Sequence, residues 1–151
     1  EYWHTLRTKT VQSKQGKLDT YFSFKNCFER EKYLDIKQFK TRQAICKLRI
    51  SAHPLRIEYG RYKNIDRSDR LCLYCSQGKV EDEHHFITEC DLYNNVRTQF
   101  YSGINKLCKN FSNMNNHSKF TWLFSNEDLD ALTLFGVYIQ ECLEFRRTHQ
   151  N

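Results

Sequence analysis

The chain has 151 residues, 39% hydrophobic and 15% aromatic, with a net charge of +6 and a pI near 8.9. That length builds one core without disulfide staples, and no apolar run approaches a membrane span or a signal peptide. One Pro and five Gly are too few for a turn-rich all-β architecture and favour helices.

The chain opens on Glu1 and not on Met, which reads as a piece of a longer protein. A Lys-rich start (Lys9, Lys14, Lys17) with Gly16 is the segment expected to be loosest. From Leu18 to Phe28 aromatics recur at Tyr21, Phe22, Phe24 and Phe28, which predicts a short helix packed on the core. Residues 37–50 predict a clearer helix, because Thr41, Ala44, Ile45 and Leu48 follow the i, i+3, i+4, i+7 rule for one face. Lys40 and Lys47 share one flank of it and Arg42 and Arg49 the other, and at least half of these charges read as a solvated surface.

"SAHPLRIEYGRY" (51–62) breaks that helix with the only Pro and then Gly60. Leu55, Ile57 and Tyr59 alternate with charged residues, so a short strand or hairpin is expected near 54–60. His53 is expected to stabilise the turn before Pro54. Beyond Cys90, Tyr93, Val96, Phe100, Ile104, Leu107 and Phe111 return to a helical period, with Asp91 placed to cap it. A polar loop (112–118) and the apolar "FTWLF" follow, and "SNED" reads as a capping box between Ser125 and Asp128. The last helix carries Leu132, Phe135, Gly136, Ile139 and Leu143 on one face, with Leu134 and Tyr138 on another, so it is expected to be central. The fold class is therefore mostly α. It is one helical domain with N-terminal helices (1–50), a basic segment with a small irregular zinc-knuckle-like insert (51–92) and C-terminal helices (93–151).

Charge is not spread evenly. Residues 47–80 hold Lys47, Arg49, Arg56, Arg61, Lys63, Arg67, Arg70 and Lys79 against Glu58, Asp66 and Asp69. The next twelve residues reverse the sign with Glu81, Asp82, Glu83, Glu89 and Asp91. A focused basic patch of this kind suits a polyanion. Seven cysteines cannot all pair within one chain, and three of them cluster at Cys72, Cys75 and Cys90. Clustering points to metal ligation in a reducing compartment and away from a secreted disulfide framework.

"LCLYCSQGKVEDEHHFITEC" (71–90) carries the strongest signal. Cys72 and Cys75, two residues apart, can bite one ion from a tight turn, and Gly78 with its polar neighbours lets the chain return with a second ligand pair. Cys72, Cys75, His85 and Cys90 would close a tetrahedral shell of three sulfurs and one imidazole, leaving no position for a catalytic water, so one structural Zn2+ is the expected cofactor. His84 is a rival to His85, and the residues alone leave that choice open. His85 and Cys90 cannot share a regular helical face, since five residues turn through about 140°, so a short helix or turn should end near Cys90. The acids at 81–83 read as the acidic first turn of a helix more simply than as ligands for a hard metal.

The strings "KLRISAHPLRIEYGRY" and "DRLCLYCSQGKVEDEHHFITECDLY", followed by Arg97, resemble the cysteine-rich C-terminal region of non-LTR (LINE-type) retrotransposon polyproteins. The resemblance is most specific from Leu48 to about Tyr101. It implies that Cys72, Cys75, His85 and Cys90 are a CCHC zinc motif following a reverse transcriptase domain. It also implies a nucleic-acid-handling role beside that enzyme, holding template RNA or target DNA, and a nuclear and cytoplasmic ribonucleoprotein location. No YxDD-type aspartate pair or endonuclease carboxylate set occurs in the segment, so no enzymatic activity is expected of it. Arg61, Lys63, Arg67 and Arg70, with Arg56 behind them, are the candidate phosphate contacts. Tyr59, Tyr62 and Tyr74 are interleaved where bases could stack, or where the rings simply pack. The expected partners are RNA or DNA and other domains of the parent protein, with neither a membrane nor a small-molecule substrate. The competing reading is a structural or protein-interaction module that docks on a neighbouring domain.

Overall fold

The structure is a computed structural model that describes Thr5 and residues 16–149, and its regular elements, about 65% of the chain, are all helical. Lys9 and Lys14, expected in a loose segment, lie outside the described residues. Helix α1 spans Asp19–Phe24, and a 3-10 turn, Lys32–Asp35, leads to α2, Phe39–Arg49. Then come α3, Arg56–Tyr62, α4, Glu83–Thr88, and α5, Asn94–Leu107. Finally α6, Asn116–Ser125, precedes the long α7, Leu129–Thr148. The mostly-α expectation holds.

The spacing of apolar residues explains the architecture. Thr41, Ala44, Ile45 and Leu48 all face inward from α2. Leu132, Phe135, Gly136 and Ile139 are buried on α7 together with Tyr138, while Leu134 stays 37% exposed. Two buried faces make α7 the axis of the molecule: α2 packs along one side of it and α5 along another. Phe100 of α5 stacks on Tyr138 with centroids 4.3 Å apart and planes 5° from parallel. From α1, Phe22 and Phe24 are buried, whereas Phe28, beyond the helix, is 84% exposed.

Gly136 is what lets α2 and α7 approach. A Cβ built there would lie 2.5 Å from Thr41 Cγ2 and 2.8 Å from the Thr41 carbonyl oxygen. The second contact is backbone and cannot swing away. Gly136→Ala is therefore expected to destabilise the domain by about 1–3 kcal/mol through overpacking, even though alanine is the better helix former by about 1 kcal/mol. A urea titration reads this directly, and a gain in stability would contradict the close-approach argument.

Three expectations need correction. Residues 56–62 form helix α3 and not a strand. Leu55 and Ile57 are buried but Tyr59 is 51% exposed, so the alternation fails at its third member. The buried set is Ile57, Glu58 and Gly60, a helical pattern in which a Glu counts as an inward residue. The one β-type pairing among the described residues is an isolated antiparallel bridge between Leu71 and Val80. The Ser125–Asp128 capping box does not form either. Ser125 ends α6, Asn126 Oδ1 accepts from Asp128 N at 2.7 Å, and Asp128 alone caps α7 by accepting from Ala131 N at 2.8 Å. Asp91 opens a 3-10 turn, Asp91–Tyr93, one step ahead of α5, and does not cap that helix itself.

Arg49 departs furthest from the solvated flank. It is 2% exposed, donates to the Phe124 carbonyl at 2.6 Å and to Glu31 at 2.8 Å, and lies over the rings of Tyr21, Phe24, Tyr33 and Phe124. A guanidinium can be buried this way because its charge is met by a carboxylate and its flat faces by π-clouds. Arg42 bonds the Ile36 carbonyl at 2.9 Å, and Lys40 and Lys47 remain exposed as read.

Candidate metal centre

The cysteine loop is held shut by a minimal hairpin. Around the Leu71–Val80 bridge, Cys72 N donates to Lys79 O at 2.8 Å and Glu81 N to Arg70 O at 2.9 Å. The loop between places Cys72 and Cys75 on one side of a small space. Asp82 then caps α4, accepting from His85 N at 2.9 Å, and the helix carries His85 inward. Cys90 follows after α4 has ended, with its N–H closing onto His85 O at 2.8 Å. This is the short helix ending near Cys90 that the five-residue step demanded.

The ligand atoms of Cys72, Cys75, His85 and Cys90 all lie within 4.8 Å of one another. Cys72 Sγ and Cys90 Sγ are 3.8 Å apart, and Cys75 Sγ and His85 Nε2 are 3.4 Å apart. Cys72, His85 and Cys90 are buried and Cys75 half-buried. Four donors of this type, converging from a turn and a helix, can hold a metal ion.

His84 does not join them. Its ring packs against Phe120, with His117 beyond, and its Nδ1 faces Thr88 and Glu89. The choice between the two histidines thus falls on His85. The Nδ1 of His85 is buried without a hydrogen bond, 3.6 Å from Glu89 Oε2, and Glu89 is itself held by Lys79 at 2.8 Å. A carboxylate behind a ligating imidazole is the usual device for orienting it.

The electrostatics suit a cation. A hydrogen bond from Cys90 and, against the opposition of burial, one from His85 pull the Cys72 thiol down to about 4. The same shared proton pushes Cys90 up, with burial adding to the effect. Burial works to lower His85, but the Cys72 thiolate and Glu89 outweigh it and the net shift is upward. Cys72 is therefore the donor poised as a thiolate, and a metal ion would displace the protons that Cys90 and His85 hold around it.

No family model, curated protein or solved structure matches this chain. The site is therefore read from its own residues.

The candidate contacts for nucleic acid divide into two groups. Tyr59 and Tyr62 are 51% and 69% exposed on α3, with Lys63 over the first ring and Arg61 over the second. Lys63 and Arg67 are exposed, Arg67 only 3.5 Å from Asp82, while Arg61 is forked onto Glu58 at 2.9 Å. Arg70 is a correction. It is 4% exposed and spends its donors on the carbonyls of Ile65 and Ile57, both at 2.9 Å. It passes so close to Gly60 that a Cβ there would sit 2.5 Å from its Cγ. Its charge is thus enclosed by α3 and cannot meet a phosphate. Arg56 is half-buried with its Nε enclosed, and Tyr74 is half-buried beneath Arg146, 4.8 Å from its ring.

Sequence reasoning missed the ties that fix the clamp to the bundle. Glu81 is 1% exposed and receives a two-pronged bond from Arg146 of α7, both prongs at 3.0 Å, besides Arg56 N at 2.8 Å. Glu83, equally buried, accepts from Thr20 and Ser51 and faces His53 Nε2, each at 2.8 Å. His53 thus reaches across to α4 and does more than stabilise its turn. Arg97 of α5 donates to the carbonyls of Cys90 at 2.6 Å and Ile87 at 3.1 Å. Of the run 81–83, Asp82 caps α4 and Glu83 is the acid of its first turn, as expected, while Glu81 lies ahead of the helix and answers Arg146. The signal available was the mismatch of three consecutive acids with so few solvent-facing positions, but nothing in the sequence names their partners.

Proposed function

We propose that the chain is a zinc-stabilised nucleic-acid-binding accessory module of a retrotransposon-type reverse transcriptase. It helps to hold RNA or DNA and performs no chemistry of its own. The zinc reading is supported by distance: tetrahedral Zn–S bonds of about 2.3 Å place two sulfurs about 3.8 Å apart and a sulfur and imidazole nitrogen about 3.5 Å apart. The Cys72–Cys90 and Cys75–His85 pairs lie at 3.8 and 3.4 Å, and all four donor atoms lie within 4.8 Å of one another. Three thiolates and one imidazole fill the shell and leave no position for water, so the ion would act on the fold.

The observation that carries the nucleic-acid reading is the outer face of α3. Two exposed tyrosines are each paired with a cation there, and the segment that follows, with the exposed Arg67, is anchored to the clamp through Glu81 N and Arg70 O. Aromatic faces with interleaved cations bind bases and phosphates together. The residues of that face are Tyr59, Tyr62, Arg61 and Lys63, and Arg67 joins them from the 3-10 turn Arg67–Asp69 that follows. The free cysteines fit an intracellular setting, nuclear and cytoplasmic, and no described helix is long and apolar enough to cross a membrane.

Lys63→Glu with Arg67→Glu is expected to weaken binding to a single-stranded RNA or DNA oligonucleotide more than tenfold at moderate salt. It should also reduce the salt slope by roughly two, one for each phosphate that the variant no longer neutralises. Fluorescence anisotropy over a salt series measures both, with an unchanged circular-dichroism melt as the control. Equal affinity of variant and parent at every salt concentration would sink this reading.

A further inference from the structure

A second surface has no lining residue in α3. The segments of α2 and α5 that flank the end of α7 leave a groove of about 1080 Å³, whose floor is the last turns of α7. Leu143, Phe145 and Val96 give it an apolar lining, half-buried or, for Phe145, 39% exposed. Lys40 and Lys47 stand on the α2 rim, seven residues and about 10.5 Å apart along the helix. Neither has a carboxylate partner among the described residues, whereas the other cations of the groove are neutralised, Arg146 by Glu81 and Arg147 by Glu144. Glu141 lies on the floor without an ion-pair partner among the described residues.

We propose that this groove binds an amphipathic helix of a partner protein, its apolar stripe seated on α7 and its carboxylates turned toward Lys40 and Lys47. Two helices that flank a third without closing over it offer the seat of a further bundle helix, with anchors spaced at i, i+3, i+4 and i+7. The lysine spacing of two turns matches carboxylates seven residues apart on such a helix. Glu141, the unpaired carboxylate on the floor, repels a phosphate backbone drawn along the groove, which argues for protein over nucleic acid here. The charge on the rim sets the orientation and preference of the partner more than its total affinity.

Two fluorescein-labelled designed peptides of fourteen residues test this, identical in a Leu stripe but flanked on one side by Glu in the first and by Lys in the second. The Glu-flanked peptide is expected to bind saturably and at least fivefold tighter. Lys40→Glu with Lys47→Glu should reverse that preference, and Phe145→Ser should weaken both peptides. All three substitutions fall on exposed positions, so a retained thermal melt shows that the fold is intact. Absence of saturable binding, equal affinity for the two peptides, or a preference that survives the lysine reversal would overturn the proposal. So would displacement of the peptide by an unlabelled single-stranded oligonucleotide, which would assign the groove to nucleic acid. The variants Lys63→Glu and Arg67→Glu should leave peptide binding unchanged.

Discussion

Cys90→Ser is expected to lower the melting temperature by about 10–15 °C and to abolish stoichiometric metal. A ligand bound at about a thousand times its Kd contributes about 4 kcal/mol to the folded state. For a domain of this size each kcal/mol corresponds to about 2–4 °C. The effect should reach beyond the loop because Cys90 is 1% exposed and its carbonyl is held by Arg97 of α5. The Ile87 carbonyl beside it accepts from both Arg97 and Tyr138 of α7. Loosening Cys90 thus disturbs the contacts that seat α4 on the two longest helices. Glu89→Gln supplies a graded comparison: it leaves four ligands and removes only the charge behind His85 Nδ1, so metal affinity should fall about 10–100-fold while the apo fold is unchanged. Elemental analysis and a thermal melt with and without a strong chelator measure both effects. If the parent protein holds no metal, and chelation does not move its melt, the clamp is not a metal centre.

Helix positions and the residues that could hold a metal were legible in the sequence because both rest on short-range spacing. The inward face of α2 and the axis role of α7 follow from 3.6-residue spacing, and the four ligands from turn-scale separations. What was illegible depends on partners distant along the chain. Glu81 and Arg146 are 65 residues apart, and Glu83 and Thr20 are 63 apart. A buried charge announces itself only through the partner that neutralises it, so Arg49, Arg70, Glu81 and Glu83 all looked like surface residues. The same blindness produced the false strand, since Glu58 reads as an outward residue until it is found inside α3 holding Arg61. The exposed basic face is correspondingly smaller than the sequence suggested. Yet it is better defined, because loss of Arg70 to the interior leaves Lys63 and Arg67 as its freest cations.

Arg146→Ala should be the most destabilising change outside the four residues of the candidate metal centre. The Arg146–Glu81 pair is 5% and 2% exposed, with both prongs at 3.0 Å, and truncating one member strands the other charge in the interior. Such losses run to about 3–5 kcal/mol, or roughly 10 °C for a domain of this size. Arg146 also covers Tyr74, which lies between the two loop cysteines, so its removal uncovers the loop that presents Cys72 and Cys75. The pair itself need not be stabilising relative to an apolar replacement, because its attraction is offset by the desolvation of two ions. Glu81→Leu with Arg146→Met should accordingly recover most of what Arg146→Ala loses, and a double-mutant cycle between Glu81→Ala and Arg146→Ala should show coupling of at least about 2 kcal/mol. Additive single effects would mean that each side chain acts through its other neighbours, Glu81 through Arg56 N and Arg146 through Tyr74. Coupling of the expected size would identify this buried pair as the joint by which α7 holds the clamp, and through it the exposed face of α3, in place.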